Sequence, residues 1–268
     1  MTSTSNEKEG PMSQTRWISG FVLLAALSAL STPLGAETLR RPTPTVVGAV
    51  SHLLLPTSAN VNGQFGAVFK TKVSIFNPTT YDYTIRAGLS TQDGEIASSS
   101  ITIFSGETVT FGNFLSDVFG YYGAGAIDLD SGNDAYRFIV SAQVYVDTGA
   151  GRYTTSVQFA DDLGAITPDR PGYAVGISVN SNFRTNIGCA SNSSAPQVIT
   201  LRAFDRDFFL VGDPFSFTIG GFGWAQYSIR VPLNNGGIIF EATRNAVCFA
   251  VEVNNVSNDG TYQLAIPF

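Results

Sequence analysis

His52 is the only histidine of the chain, so a serine or cysteine nucleophile activated by histidine would have to use it. It stands beside three leucines, at the end of an expected β-strand. The nucleophile-elbow pattern G-x-S-x-G is absent from the sequence. We therefore interpret His52 as a structural residue. Zinc is set aside too, because one histidine and two distant cysteines do not supply three or four neighbouring ligands.

Three aspartates offer a different chemistry. Asp128, Asp130 and Asp134 form the oxygen-rich pattern D-x-D-x-G-N-D, which is typical of calcium sites. Its glycine is the fifth residue, however, whereas the EF-hand loop has glycine at the sixth. We favour a polar hairpin turn after a strand, with a Ca²⁺ site as the alternative, and expect no other cofactor.

Carboxylate pairs could serve glycoside hydrolysis. The candidates are Asp161-Asp162 and Asp205-Arg206-Asp207, both in loop-like sequence. Side chains that are neighbours in sequence point in different directions and rarely form an acid and base pair. We interpret both groups as solvated loop charges and predict that the protein is not an enzyme.

Four aromatic residues could stack on sugar rings: Tyr121, Tyr122, Trp224 and Tyr227. Trp224 lies in a glycine-rich stretch and is the only tryptophan after residue 36. Such a residue is either a binding platform or a plug for the end of a sandwich core, and we favour the plug.

Composition narrows the class of partner. The net charge is -6 and only 13% of residues are charged. Nucleic-acid binding requires clustered lysine and arginine, and the sequence has no such cluster. Hydrophobic residues at 44%, with abundant glycine and small polar residues, favour strands joined by tight turns.

A targeting signal precedes the strands. Arg16 stands before an apolar run over residues 17–30, and small residues follow up to Ala36. The run is too short for a membrane span of ~20 residues, so we predict a cleaved signal peptide over residues 1–36, with an uncleaved anchor as the alternative. The protein is expected outside the inner membrane: extracellular, at the cell surface or in the periplasm.

The remaining chain repeats itself. Residues 69–75 are echoed by residues 183–189, and residues 136–147 by residues 245–256. Apolar residues also alternate at matching positions, namely Tyr153, Thr155, Val157 and Phe159 against Tyr262, Leu264, Ile266 and Phe268. We predict an all-β fold of two tandem immunoglobulin-like β-sandwich domains, 37–160 and 173–268, joined by a linker over 161–172. A short helix is expected over residues 113–119, closed by Gly120.

The alternating apolar residues before the terminal Phe268 also describe the last strand of an outer-membrane β-barrel. Phe159 ends an equivalent strand in mid-chain, and Pro267 removes a backbone donor that a barrel would need. We keep the barrel as an alternative.

The segment 69–78 carries an F-K-T-x-V-x-x-x-N-P motif and resembles a module of large secreted bacterial proteins. The turn over residues 105–109, the short helix and the Gly-Ala-Ile strand over 125–127 follow in the order of that module. A diverged second copy keeps residues 183–186. The resemblance implies export and tandem β-sandwiches, and it implies no catalytic residues.

Cys189 and Cys248 are the only cysteines, and an even pair in an exported chain indicates a disulfide. Their counterparts in the first copy are Ile75 and Ile139, both apolar, so the two positions are expected to be neighbours. Strand alternation argues against the bridge, because Cys248 does not share the more apolar side of its strand.

Together these observations predict an exported, non-catalytic structural or adhesive surface protein that acts through binding a protein or a glycan. A carbohydrate-binding module is the first alternative, and a hydrolase or barrel the second. Self-association through edge strands is also open.

Overall fold

The computed structural model describes residues 48–63, 66–148, 151–160 and 165–268. The predicted signal peptide, Asp161 and Asp162 lie outside these residues. The described elements are β1 (His52–Asn62), β2 (Val68–Phe76), β3 (Tyr83–Thr91), β4 (Gly94–Ile103), β5 (Thr108–Phe111), α1 (Phe114–Phe119), β6 (Gly123–Asp130), β7 (Ile139–Thr148), β8 (Gly151–Val157), β9 (Gly172–Val179), β10 (Phe183–Ser191), β11 (Gln197–Phe204), β12 (Phe215–Ile219), β13 (Trp224–Ser228), β14 (Leu233–Ala242), β15 (Ala246–Asn254), β16 (Gly260–Leu264) and β17 (Ile266–Pro267). The predicted all-β fold is confirmed.

Helix α1 lies where the sequence predicts a short helix. It ends at Gly120, whose backbone has a left-handed φ of 61° and whose N–H donates to the Ser116 carbonyl. Glycine adopts this conformation without a Cβ clash, so Gly120 closes the helix as expected. In the described residues, no helix has the length and apolar character needed to cross a membrane.

Strands β1–β8 form one sheet in the order β4-β3-β6-β1-β2-β7-β8, and β5 pairs with the end of β2. Strand β1 pairs with β6 along most of its length but with β2 only at Asn60–Asn62. Its register shifts between Leu55 and Ser58, where Pro56 supplies no backbone donor. The bulge bends β1, which thereby joins two four-stranded groups, β4-β3-β6-β1 and β5-β2-β7-β8.

Strands β9–β17 form two sheets, β12-β11-β14-β9-β17 and β13-β10-β15-β16. Counted from the first strand of each half, both halves have the orders 4-3-6-1 and 5-2-7. A constant-type immunoglobulin domain places strand one beside strand two and strand seven beside strand six. In both halves strand seven lies beside strand two and strand one pairs with strand six, and only in the first half does strand one also pair with strand two, over three residues. The edges of the sheets therefore depart from the immunoglobulin order.

In the described part of the chain, two hydrophobic clusters hold the strands together as one compact unit. One lies within the second half, between its two sheets. The other combines β1–β8 with residues of the four-stranded sheet, among them Trp224, Val247 and Phe249. The four-stranded sheet is therefore buried on both faces. Gly188 on its central strand β10 reflects this crowding, because a Cβ there would lie 2.4 Å from the Phe249 ring.

Candidate functional site

A disulfide fixes the two central strands of the four-stranded sheet. Cys189 on β10 lies directly opposite Cys248 on β15, with their Cα atoms 4.0 Å apart, so the predicted bridge is present. Strand alternation had argued against it, but β15 is apolar on both sides because both of its faces are buried. In the first half Ile75 pairs with Val140 and not with Ile139, one position from the expected counterpart.

The residues that alternate with the disulfide form the other face of this sheet, which we call the junction face. Ala190, Trp224 and Phe249 cover one end of the junction face and pack into the core shared by the two halves. The other end is not filled, and a cavity of about 260 Å³ lies between it and strands β1, β7 and β8. We call this the junction cavity.

Polar and apolar side chains both line the junction cavity. Among the polar side chains, Arg184, Asn186, Gln226 and Ser228 belong to the junction face and Asn258 lies in the turn between β15 and β16. Strands β1 and β8 add Thr57, Ser58, Asn62, Thr154 and Thr155. The aliphatic and aromatic side chains include Val251 and Val253 of the junction face. The first half supplies Val61, Phe69, Val144, Val146, Tyr153 and Val157. A concave, largely apolar surface with a few convergent polar groups is the usual form of a small-molecule site.

Arg184 is the charged group of the junction cavity. Its Nη1 donates to Asn255 Oδ1 at 3.1 Å and its Nη2 to Asn258 Oδ1 at 2.8 Å. Both partners are neutral amides, and no carboxylate of the described chain lies within ion-pair distance of the guanidinium. Partial burial lowers the pKa of Arg184 because the charged form loses hydration.

Two further polar groups belong to the same walls. Ser228 Oγ donates to Asn186 Oδ1 at 2.6 Å, which fixes the amide across strands β10 and β13. Tyr262 also lines the cavity, and its buried hydroxyl has no hydrogen-bond partner among the described residues. Burial raises the pKa of this phenol well above its ordinary value. Tyr262 therefore keeps an O–H donor at neutral pH.

A second cavity of about 300 Å³ is lined by a cluster of ionisable side chains, which are His52, Arg86, Glu95 and Asp128. His52 Nε2 lies 2.6 Å from Asp128 Oδ1, and Arg86 bonds both Asp128 and Glu95. The sequence did not reveal this group, because His52 and Asp128 are 76 residues apart and meet only through the pairing of β1 with β6. A carboxylate beside an imidazole orients the ring, as expected for a structural ion pair or an acid–base pair.

The three aspartates proposed for calcium do not converge. Asp128 contacts His52 and Arg86, whereas Asp130 accepts the Gly132 N–H within its own turn and Asp134 accepts the Ser51 hydroxyl. Within the described ranges, no group of three histidine, cysteine or acidic residues could hold a metal ion. The polar turn accounts for the contact of Asp130.

The aromatic candidates have separate environments. Trp224 is only 8% exposed, and its Nε1–H donates to the Pro56 carbonyl at 2.7 Å, so its faces are not available as a sugar platform. Tyr227 packs against Phe215 and Phe217. Tyr121 is half-buried, and the exposed Tyr122 accepts the Asn62 N–H through its hydroxyl. The structure does not bring these four residues together.

The loop carboxylates Asp205 and Asp207 make contacts within their own loop. Asp205 Oδ1 accepts the backbone N–H groups of Asp207 and Phe209, which is a local turn contact. Asp207 lies 3.7 Å from the adjacent Arg206.

No protein-family model matches the chain, and no curated protein matches it. Among solved structures, a glycosyl hydrolase family 2 member from Bacteroides cellulosilyticus is 9% identical over 79% of this chain, with a TM-score of 0.17. β-Glucuronidase 2 from Bacteroides uniformis is 8% identical over 74%, with a TM-score of 0.15. This chain spans about a quarter of the length of either enzyme, 27% and 24% respectively.

A lectin from Pleurotus ostreatus, solved in complex with GalNAc, is 11% identical over 81% of this chain and 84% of the lectin, with a TM-score of 0.15. At such TM-scores none of these likenesses assigns the chain to a shared fold.

Proposed function

We propose that this chain is an exported protein that acts through binding and not through catalysis, and that its ligand occupies the junction cavity. The observation that carries the proposal is the convergence of Arg184 and the neutral polar side chains of Asn186, Gln226, Ser228 and Asn258 on a cavity that valines and aromatic rings also line. The cavity has the composition of a small-molecule site, and at about 260 Å³ it admits a small ligand.

Paired strands hold most of these polar side chains in place. Arg184 and Asn186 are on β10, which is bridged to β15 by the disulfide, and Gln226 and Ser228 are on the neighbouring β13. Side chains on paired strands keep their positions better than side chains on free loops, which favours binding without rearrangement.

Export and duplication are part of the proposal. The disulfide favours an oxidising compartment, in line with the signal-like segment over residues 1–36. The shared strand order of the two halves favours an origin by duplication of one sandwich module, as the sequence echoes and the resemblance to secreted bacterial modules suggest.

Carbohydrate binding is the second candidate. Asn186, Gln226 and Asn258 present amide groups of the kind that hydrogen-bond to sugar hydroxyls, and they line the same cavity. This candidate no longer depends on Trp224.

Screening by saturation-transfer NMR tests the proposal. The chain without the predicted signal peptide, residues 37–268, is mixed with a set of small aromatic acids, alcohols, amides and methyl glycosides. We expect at least one class to bind, and binding to be lost in Asn186→Trp, whose indole would fill the cavity. Val198→Trp, on the outward side of β11, is the matched control and should bind as the wild type does. Binding that survives Asn186→Trp would contradict the assignment of the site.

A further inference from the structure

We infer that the junction cavity takes a small organic anion, a carboxylate on an apolar body, with the carboxylate placed against Arg184. This inference rests on the proposed function and specifies the class of its ligand. It is carried by the charge and by the walls of the cavity.

The charge argument starts from the hydrogen bonds of Arg184. A guanidinium has five N–H donors in a planar fork. Two N–H groups bond neutral amides of Asn255 and Asn258, and no described carboxylate balances the charge. A partly buried cation is stabilised by an anion, and a carboxylate can accept two parallel N–H bonds from the fork.

The neighbouring donors extend the same preference. Gln226 carries an amide NH₂, and Tyr262 has a hydroxyl without a partner among the described residues. Asp and Glu are absent from the described residues that line the cavity, so nothing there repels an anion. The valines and aromatic rings of the cavity favour an apolar body on the ligand, because a hydrocarbon group packs against them without leaving hydroxyl groups unpaired.

Isothermal titration calorimetry with matched probes tests the inference. Benzoate carries the charge, benzyl alcohol has a similar shape without it, and methyl β-glucuronide carries the carboxylate on a polar body. We expect the wild-type chain to bind benzoate at least about tenfold more tightly than either of the other two probes.

Variants locate the effect at Arg184. Arg184→Met removes the charge but keeps the length of the side chain, and it should lower benzoate affinity at least about tenfold with little change for benzyl alcohol. Arg184→Lys should retain part of the preference, since it keeps the charge and loses the fork. Arg244→Met, on an exposed arginine outside the cavity, should behave as the wild type does.

Each other outcome has a definite meaning. Equal binding of benzoate and benzyl alcohol by the wild type would overturn the anion preference and leave the proposed binding function intact. Preferred binding of the glucuronide would overturn the apolar body and favour an acidic sugar. Failure of all three probes would overturn the inference, and failure of the NMR screen as well would overturn the proposed function. The wild-type comparison decides the question even where Arg184→Met does not fold.

Discussion

The buried indole of Trp224 links the two halves through one side chain. Its ring packs in the shared core, and its N–H donates to the carbonyl of Pro56 at the bulge of β1. The glycines before Trp224 suggested either a platform or a plug, and sequence alone did not decide between them. What decides it is the opposite surface, the bend of β1, which belongs to another part of the chain.

Replacing Trp224 with phenylalanine should lower the free energy of unfolding by at least about 2 kcal/mol. The change removes a buried hydrogen-bond donor, leaves the Pro56 carbonyl unpaired and opens space in the core. Urea unfolding followed by circular dichroism measures the effect, with Tyr81→Phe on an exposed tyrosine as the control. Equal stability of Trp224→Phe and wild type would contradict the packing described.

Tyr262 should make the protein sensitive to alkali. Burial raises its pKa well above the ordinary tyrosine value of about 10, so at higher pH the phenol ionises in the unfolded chain before it does in the folded one. This contribution is fully present below about pH 10 and is lost as pH rises toward the folded pKa, by up to about 1.4 kcal/mol per pH unit.

The phenylalanine variant tests this sign. Tyr262→Phe should be as stable as wild type or slightly more so at pH 7, because it removes an unpaired buried hydroxyl. Above pH 10 it should lose stability more slowly than wild type. Parallel curves for the two proteins between pH 9 and pH 11 would rule out the alkaline effect.

For Arg184, the sequence predicted membership of a motif but not the role of the residue. The sequence singled out residues 183–186 as an echo of residues 69–72, and Arg184 therefore as part of a repeated motif. Its role at a cavity could not be predicted, because the opposite wall comes from β1, β7 and β8. The contact of His52 with Asp128 was missed for the same reason, since it depends on the pairing of distant strands.

At the scale of the elements, strands β10 and β15 show which features could be predicted from the sequence and which could not. The all-β class, the short helix and the disulfide followed from alternation, from a closing glycine, and from an even pair of cysteines at two matched apolar positions. The two-sided burial of β15 did not follow, because alternation assumes that one face of a strand meets solvent. The sequence did contain an indication of this two-sided burial. Val247, Phe249 and Val251 form an apolar row on one face of β15, and the other face carries Cys248 and Ala250, which are also buried.

The disulfide should stabilise the fold by about 4 kcal/mol, as chain entropy predicts for a bridge that closes 59 residues. We expect a double variant, Cys189→Ala with Cys248→Ala, to lose about this much in urea unfolding. Dithiothreitol should destabilise the wild type to a similar degree and leave the double variant unchanged. Thiol labelling of the unreduced, denatured wild type should find no free cysteine, and two free thiols would contradict the bridge.

Self-association through edge strands stays a prediction. Strand β4 is the edge on which it is best tested. It has ten residues and pairs only with β3 in the described chain, and Glu95 is its sole charge. Long uncharged edges are prone to pair between molecules. If dimers form at high concentration in size-exclusion chromatography, Ser98→Lys on this edge should remove them, whereas Ser156→Lys on β8 is the contrasting edge variant. Dimers that withstand the lysine on β4 would exclude this edge.

At the scale of the whole molecule, the shared core favours unfolding as one unit. Leu53 and Leu55 of the first half belong to the same cluster as Trp224 and Phe249 of the second. Separating the halves would expose this surface, so neither half is expected to melt alone. Scanning calorimetry should give one transition with equal calorimetric and van't Hoff enthalpies. Two resolved transitions would show instead that the halves are independent domains.

The central claim is that a small molecule binds between the two halves, at the unfilled end of the junction face. The most direct test is a ¹³C-methyl NMR titration of residues 37–268 with the ligand from the screen that binds most tightly. We predict shifts in the cavity methyls of Val144, Val146, Val251 and Val253, and none in the exposed Val175 and Val198. Shifts confined to residues away from the cavity would contradict the account.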